Sequence, residues 1–175
     1  EALGFELLFL RPRRFGKSLW ISTLMSYYDV AAADRFEHLF GKLAIGRKPT
    51  PLHNQYLVMK WDFSDIRSQG TIEQIEKALH EHINQWIQTF VDDYRTLAPN
   101  LAHEVVIHPE NALVSFHSAV AAARRSPYNL YLFIDEYDNF ANEVMMGGQG
   151  ENAQRYSDLI QGEGLFKTLF KNIKS

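Results

Sequence analysis

Two short stretches of this chain hold residue types that can handle phosphate. The first is Arg11-Pro12-Arg13-Arg14-Phe15-Gly16-Lys17-Ser18, which follows the apolar run Leu7–Leu10 and leads into a segment of helical periodicity. A helix N-terminus presents unpaired backbone N–H groups and a positive partial charge, and together these attract an anion. Gly16 removes the Cβ that would keep a phosphate oxygen away from the backbone. Lys17 can reach β- and γ-phosphates, and the Ser18 hydroxyl can ligate Mg²⁺. The second stretch is the apolar run Tyr131–Ile134, which ends in Asp135-Glu136. A carboxylate at such a strand end can hold Mg²⁺, and its neighbour can polarise an attacking water. Ser18 and Asp135 are therefore the candidate metal residues, and Lys17 and Glu136 the candidate catalytic ones.

Each stretch also has a simpler reading. Gly-Lys-Ser can do no more than open a helix, and a strand ending in Asp-Glu can do no more than cap the next one. The pairing of the two motifs, one after an apolar strand and one at the end of another, favours phosphate chemistry. The loop departs from G-x-x-x-x-G-K-[ST], because Arg11 stands where the first glycine would be. Pro12 pushes Arg11 toward extended backbone, so the first turn must be made differently. Arg11, Arg13 and Arg14 can clamp phosphates, or they can equally sit in solvent or pair with carboxylates. Asp138 reads as surface.

The elements that must position these residues alternate. Leu7–Leu10 reads as a buried strand. Trp20, Leu24 and Tyr28, flanked by Ile21 and Met25, predict an amphipathic helix to about Tyr28. A short helix over Asp34–Leu43 and a polar loop over Gly46–Asn54 precede a second strand at Leu57–Phe63. Thr71 lies three residues before Gln74, the spacing of a capping box. Ile72, Ile75, Leu79, Ile83, Trp86, Ile87, Phe90 and Val91 then trace one helical stripe, with Pro99 expected to end it. Pro109 and Glu110 read as the first turn of another helix, which runs to Arg124-Arg125. Leu130–Ile134 is a third strand, Gly147–Gly150 a loop, and Asn152–Lys174 a helix. This alternation predicts an α/β domain with a mostly parallel sheet.

The composition narrows the classes. At 175 residues, 46% hydrophobic and 22% charged, the chain fits one domain with a sizeable core. Its net charge of -3 argues against a surface built to coat nucleic acid. With no cysteine, disulfides, thiolate metal sites and cysteine nucleophiles are excluded. No apolar run approaches the roughly 18 residues needed to span a bilayer, and the N-terminus lacks signal-peptide regions, so a soluble, cytoplasmic protein is expected. His80-Glu81-x-x-Asn84 and His103-Glu104 with His108 are near misses for a zinc helix. His117 reads as a packed or exposed histidine, Trp86 and Phe90 as core, and Arg124-Arg125 as cations facing a helix C-terminus.

Phe9–Leu19, Ser22-Thr23-Leu24, Trp61-Asp62-Phe63-Ser64 and Ile134–Asp138 together resemble the AAA-ATPase-like family. Arginine at position 11 matches that family's own variant loop. The resemblance implies a P-loop NTPase-type parallel sheet flanked by helices, with ATP and Mg²⁺ as cofactors. It places Arg14, Phe15, Gly16, Lys17, Ser18 and Leu19 around the nucleotide. Mg-dependent ATP hydrolysis is the implied function, and a non-hydrolysing nucleotide switch acting on an attached effector is the alternative. Members are often followed by a PD-(D/E)XK nuclease-like domain, but no such motif appears in these residues. Nucleic acid as a partner is unsupported, and no membrane partner is expected. In the additional-strand class of P-loop ATPases a further strand, carrying a polar sensor residue, lies between the loop strand and the acidic strand. None is legible after Ile134. Residues 1–175 are therefore expected to be a partial domain, cut at both ends, without that strand or an arginine finger. The sheet would then leave a gap, or pair Leu7–Leu10 directly with Leu130–Ile134.

Overall fold

A computed structural model describes residues 15–146 of the chain. The expected strand Leu7–Leu10, residues Arg11–Arg14, the glycine loop from Gly147 and the helix Asn152–Lys174 lie outside the described residues. Of the expected absence of a strand after Ile134, only the part up to Met146 falls on described residues, and Tyr137–Met146 is helix there.

The described sheet has two parallel strands, β1 (Tyr56–Asp62) and β2 (Asn129–Asp135), in register from Tyr56 opposite Asn129 to Asp62 opposite Asp135. A parallel pair needs a long crossover. Here the crossover carries α4 (Ile72–Asp93), α5 (Leu101–Glu104) and α6 (Ala112–Ala123). The other helices are α1 (Lys17–Tyr28), α2 (Phe36–Phe40), α3 (Ala44–Arg47) and α7 (Tyr137–Met146). The mixed α/β expectation therefore holds, as a parallel sheet flanked by helices.

Side chains alternate across a strand, and the two sheet faces meet different partners. Leu57, Met59 and Trp61 of β1, with Phe63 just beyond it, face α4 and α6. They form one core with Ile75, Leu79, Ile83, Ile87, Phe90, Phe116 and Ala119. Full burial of each large apolar side chain contributes about 1.5–3 kcal/mol. On the opposite face, the Tyr28 ring at the end of α1 meets Tyr56 and Tyr131 at centroid distances of 5.7 and 5.4 Å.

The Thr71–Gln74 capping box forms as the spacing predicts. Gln74 N donates to Thr71 Oγ1 at 3.3 Å, and Thr71 N donates to Gln74 Oε1 at 3.2 Å. Four expectations are corrected. First, α4 stops at Asp93, well before Pro99, because the next residue is fixed from outside the helix. The Tyr94 hydroxyl accepts from Val58 N at 2.8 Å and donates to Asp29 Oδ1 at 2.7 Å, satisfying a strand donor that β2 does not use. Burial, with Asp29 as a neighbour, pushes the Tyr94 phenol far up, so it stays a neutral donor. Second, α6 begins at Ala112, not Pro109. Pro109 sits in a turn closed by Asn111 N to His108 O at 3.0 Å, and the Asn111 side chain caps the helix by accepting from Val114 N. Third, the short helix is divided into a 3-10 stretch, Val30–Arg35, and α2, because Asp29 accepts from Ala31 N and starts the chain tightly. The Gly46–Asn54 loop likewise begins only after α3. Fourth, α1 does not bury the expected stripe. Tyr27 is its buried residue, while Trp20 is 44% exposed.

His80, half of a zinc near miss, has a packing role. Its Nδ1 accepts from Ala112 N at 3.0 Å, at the electropositive start of α6, so the neutral ring carries its proton on Nε2. Burial holds its pKa below the ordinary 6.5, against the opposing charge of Glu76. The unfolded chain therefore binds the extra proton first. The stabilisation is fully present above about pH 6.5 and is lost as pH falls from there toward the depressed folded value. Urea midpoints should fall between pH 7 and 5 in the wild type and fall less in His80→Gln. Equal falls in both proteins would disprove the role.

Candidate functional site

The described end of the phosphate-loop motif is built around Gly16. Its φ of 75° is left-handed, a conformation that glycine adopts at no steric cost, and it serves as the N-cap of α1. Its carbonyl accepts from Trp20 N at 2.9 Å, which starts the helix, while no side chain caps the first turn. Among the described residues nothing lies within 4 Å of a Cβ placed on Gly16, so none of them crowds this backbone. Lys17 is half-buried. Phe15, Ser18 and Leu19 are exposed, Phe15 at 63% and Leu19 at 73%. Arg14 lies outside the described residues.

The acidic motif sits where the sequence suggests, at the end of β2. Asp135 is its last residue and is buried, at 4% exposure. Its Oδ1 accepts from Glu136 N at 3.1 Å. Glu136 takes a left-handed φ of 57°, uncommon for a residue with a side chain and costing about 1–2 kcal/mol. That turn lets the chain leave the strand and enter α7 at once, with Glu136 O accepting from Phe140 N at 3.1 Å. Phe140 is buried against Phe63 at a centroid distance of 5.8 Å, which locks the turn to the sheet. Asp138 is exposed, as expected.

The register also brings in a residue to which sequence reasoning gave no role. Asp62 ends β1 directly opposite Asp135. Its carboxylate accepts from Lys60 Nζ at 2.6 Å on one oxygen, and from Ser64 Oγ at 2.8 Å and Ser64 N at 3.2 Å on the other. Burial alone would raise its pKa, but these bonds from Lys60 and Ser64 hold the carboxyl below the usual range, so it stays ionised. The signal was in the sequence: Trp61-Asp62-Phe63-Ser64 is a second apolar strand that ends in a carboxylate, just as β2 does.

The residues set aside at the sequence level are accounted for. His103 lies in α5 and His108 beyond it, so no single helix presents both. No metal-holding group of three or more His, Cys, Asp or Glu occurs among the described residues. Trp86 stacks near Trp61, and Phe90 is buried, both within or against the core. His117 is exposed, Arg124 caps the end of α6, and Arg125 pairs with Glu104. No described helix is long and apolar enough to cross a membrane.

Parallel strands with helices on both faces and carboxylates at the strand ends define the class, a mixed α/β domain. The chain belongs to the AAA-ATPase-like family, described as predicted AAA-ATPase, which matches residues 2–175. Membership gives it a general ATPase-like, nucleotide-binding role. No curated protein and no solved structure matches the chain.

Proposed function

We propose that this chain binds ATP with Mg²⁺ and hydrolyses it at a site formed by the start of α1 and the ends of β1 and β2. The observation that carries this reading is the placement of Asp135 and Glu136, one buried at the strand end and the other held left-handed beside it. The packing of α1 on the sheet supports including its start in the same site. Tyr28 anchors the end of α1 over the starts of both strands, and α1 packs against both. Its 12 residues rise about 18 Å, most of the roughly 23 Å of a seven-residue strand. Laid back along the sheet, the helix carries Gly16–Ser18 toward the carboxylate ends.

The residues fit the cofactors that the family implies. A buried carboxylate and a serine hydroxyl are hard oxygen donors suited to Mg²⁺, and no described residue crowds Gly16, where a phosphate would sit. Mg²⁺, when bound, would neutralise charge on the phosphate oxygens. Ser18 and Asp135 would hold it. The first N–H groups of α1 and Lys17 would bind the phosphates, with Arg14, Phe15 and Leu19 bordering the nucleotide. Glu136 would accept a proton from the attacking water.

Lys17→Ala should weaken ATP binding about 10- to 100-fold, the loss of one charge-assisted contact worth 1.5–3 kcal/mol. Calorimetric titration with MgATP measures this directly, and an unchanged Kd would refute the phosphate-loop assignment. A second reading, a nucleotide switch without turnover, is favoured by Arg11 in place of the loop's first glycine. Tight MgATP binding by the wild type with no phosphate release would select that reading.

A further inference from the structure

We propose that Asp62 is a positioning residue of this same site, accepting hydrogen bonds from water around the metal ion beside Asp135. The inference rests on the nucleotide-site reading above. Neighbouring strands lie about 5 Å apart, and register partners in a parallel pair point to the same face. Asp62 and Asp135 are such partners, both on the last residue of their strands. Met59 and Trp61 point into the core, so Lys60 and Asp62 share the opposite face, the one that α1 covers.

A count of acceptor capacity supports a water contact. Each carboxylate oxygen has two lone-pair sites. Both sites on Asp62 Oδ1 are taken by Ser64, through N and Oγ. Among the described residues Oδ2 accepts from Lys60 Nζ alone, which leaves one site, and the side chain is 35% exposed, so water can reach it. Lys60 fixes the carboxylate's orientation.

Asp62 also caps the 3-10 turn Phe63–Asp65 by accepting from Ser64 N, and a capping role alone would explain the residue. Asp62→Asn separates the two roles, since an amide oxygen still caps but carries no charge. Binding of a fluorescent ATP analogue should be measured on the full chain, first in EDTA and then across a Mg²⁺ titration. Affinity in EDTA should match the wild type, while the Mg²⁺ concentration for half-maximal enhancement should rise at least about tenfold, the usual cost of losing an outer contact to a metal site. If Asp62→Asn does not fold by circular dichroism, Asp62→Ser keeps a capping oxygen and should show the same shift. A wild-type Mg²⁺ midpoint in the folded variant would overturn this inference alone. A wild-type chain that binds no nucleotide would overturn both this inference and the reading beneath it.

Discussion

Replacing Glu136 with glutamine is expected to lower ATP turnover about 10²- to 10⁴-fold while leaving MgATP binding within a few-fold of wild type. The amide matches the carboxylate in size and keeps hydrogen bonding to water, but it cannot take up the proton. The position makes this a sharp test. Glu136 is held by a turn in which its own N–H donates to Asp135 and its carbonyl starts α7, and neither bond uses its side chain. The substitution should therefore leave the backbone unchanged. Glycine at the same position should abolish turnover equally, yet it would relax the left-handed conformation and stabilise the fold by up to about 1 kcal/mol. A residue kept at a conformational cost, at the expected place for a water activator, is what a functional site predicts. Single-turnover phosphate release, beside equilibrium binding, measures the effect. Wild-type turnover in Glu136→Gln would remove the residue from the reaction.

The largest loss of stability is expected from Trp61→Ala, about 3–5 kcal/mol. Typical domains hold only about 5–15 kcal/mol in total, so this is a large share. Trp61 is fully buried in the middle of the sheet's core face. Phe116 of α6 meets it edge-on at 4.9 Å, Trp86 of α4 stacks at 6.1 Å, and its indole N–H donates to Met59 Sδ at 3.2 Å. Truncation leaves a cavity bordered by two helices and the strand, and none of them can collapse without breaking the register that aligns Asp62 with Asp135. Urea unfolding monitored by circular dichroism tests this. A loss under about 1 kcal/mol would mean that the core closes readily around the gap. MgATP affinity in the folded fraction should fall as well, because the strand end carrying Asp62 follows directly.

The long helix was legible because its signals are local. Thr71 and Gln74 define their own cap, and the apolar stripe from Ile72 to Val91 repeats at the helical period. The two described strands were legible for a similar reason, as short apolar runs ending in acids. At the end of α4, a distant partner decided. Tyr94 ends α4 because Val58 and Asp29 bind its hydroxyl, and neither lies near it in the chain. Trp20 fits a helical stripe, but periodicity alone does not say what the stripe packs against, and Trp20 is left 44% exposed.

The candidate site divides the same way. The amino-acid sequence by itself determined which residues are fit for phosphate and metal, Gly16-Lys17-Ser18 and Asp135-Glu136, because that chemistry depends on residue type and short spacing. It also determined the family. Only the tertiary structure decided that Glu136 would be held left-handed, that Asp135 would be buried, and that Asp62 would stand beside it. The pairing of Asp62 with Asp135 depends on the register of two strands joined through three helices, and register is set by which side chains share a core, not by any neighbour along the chain.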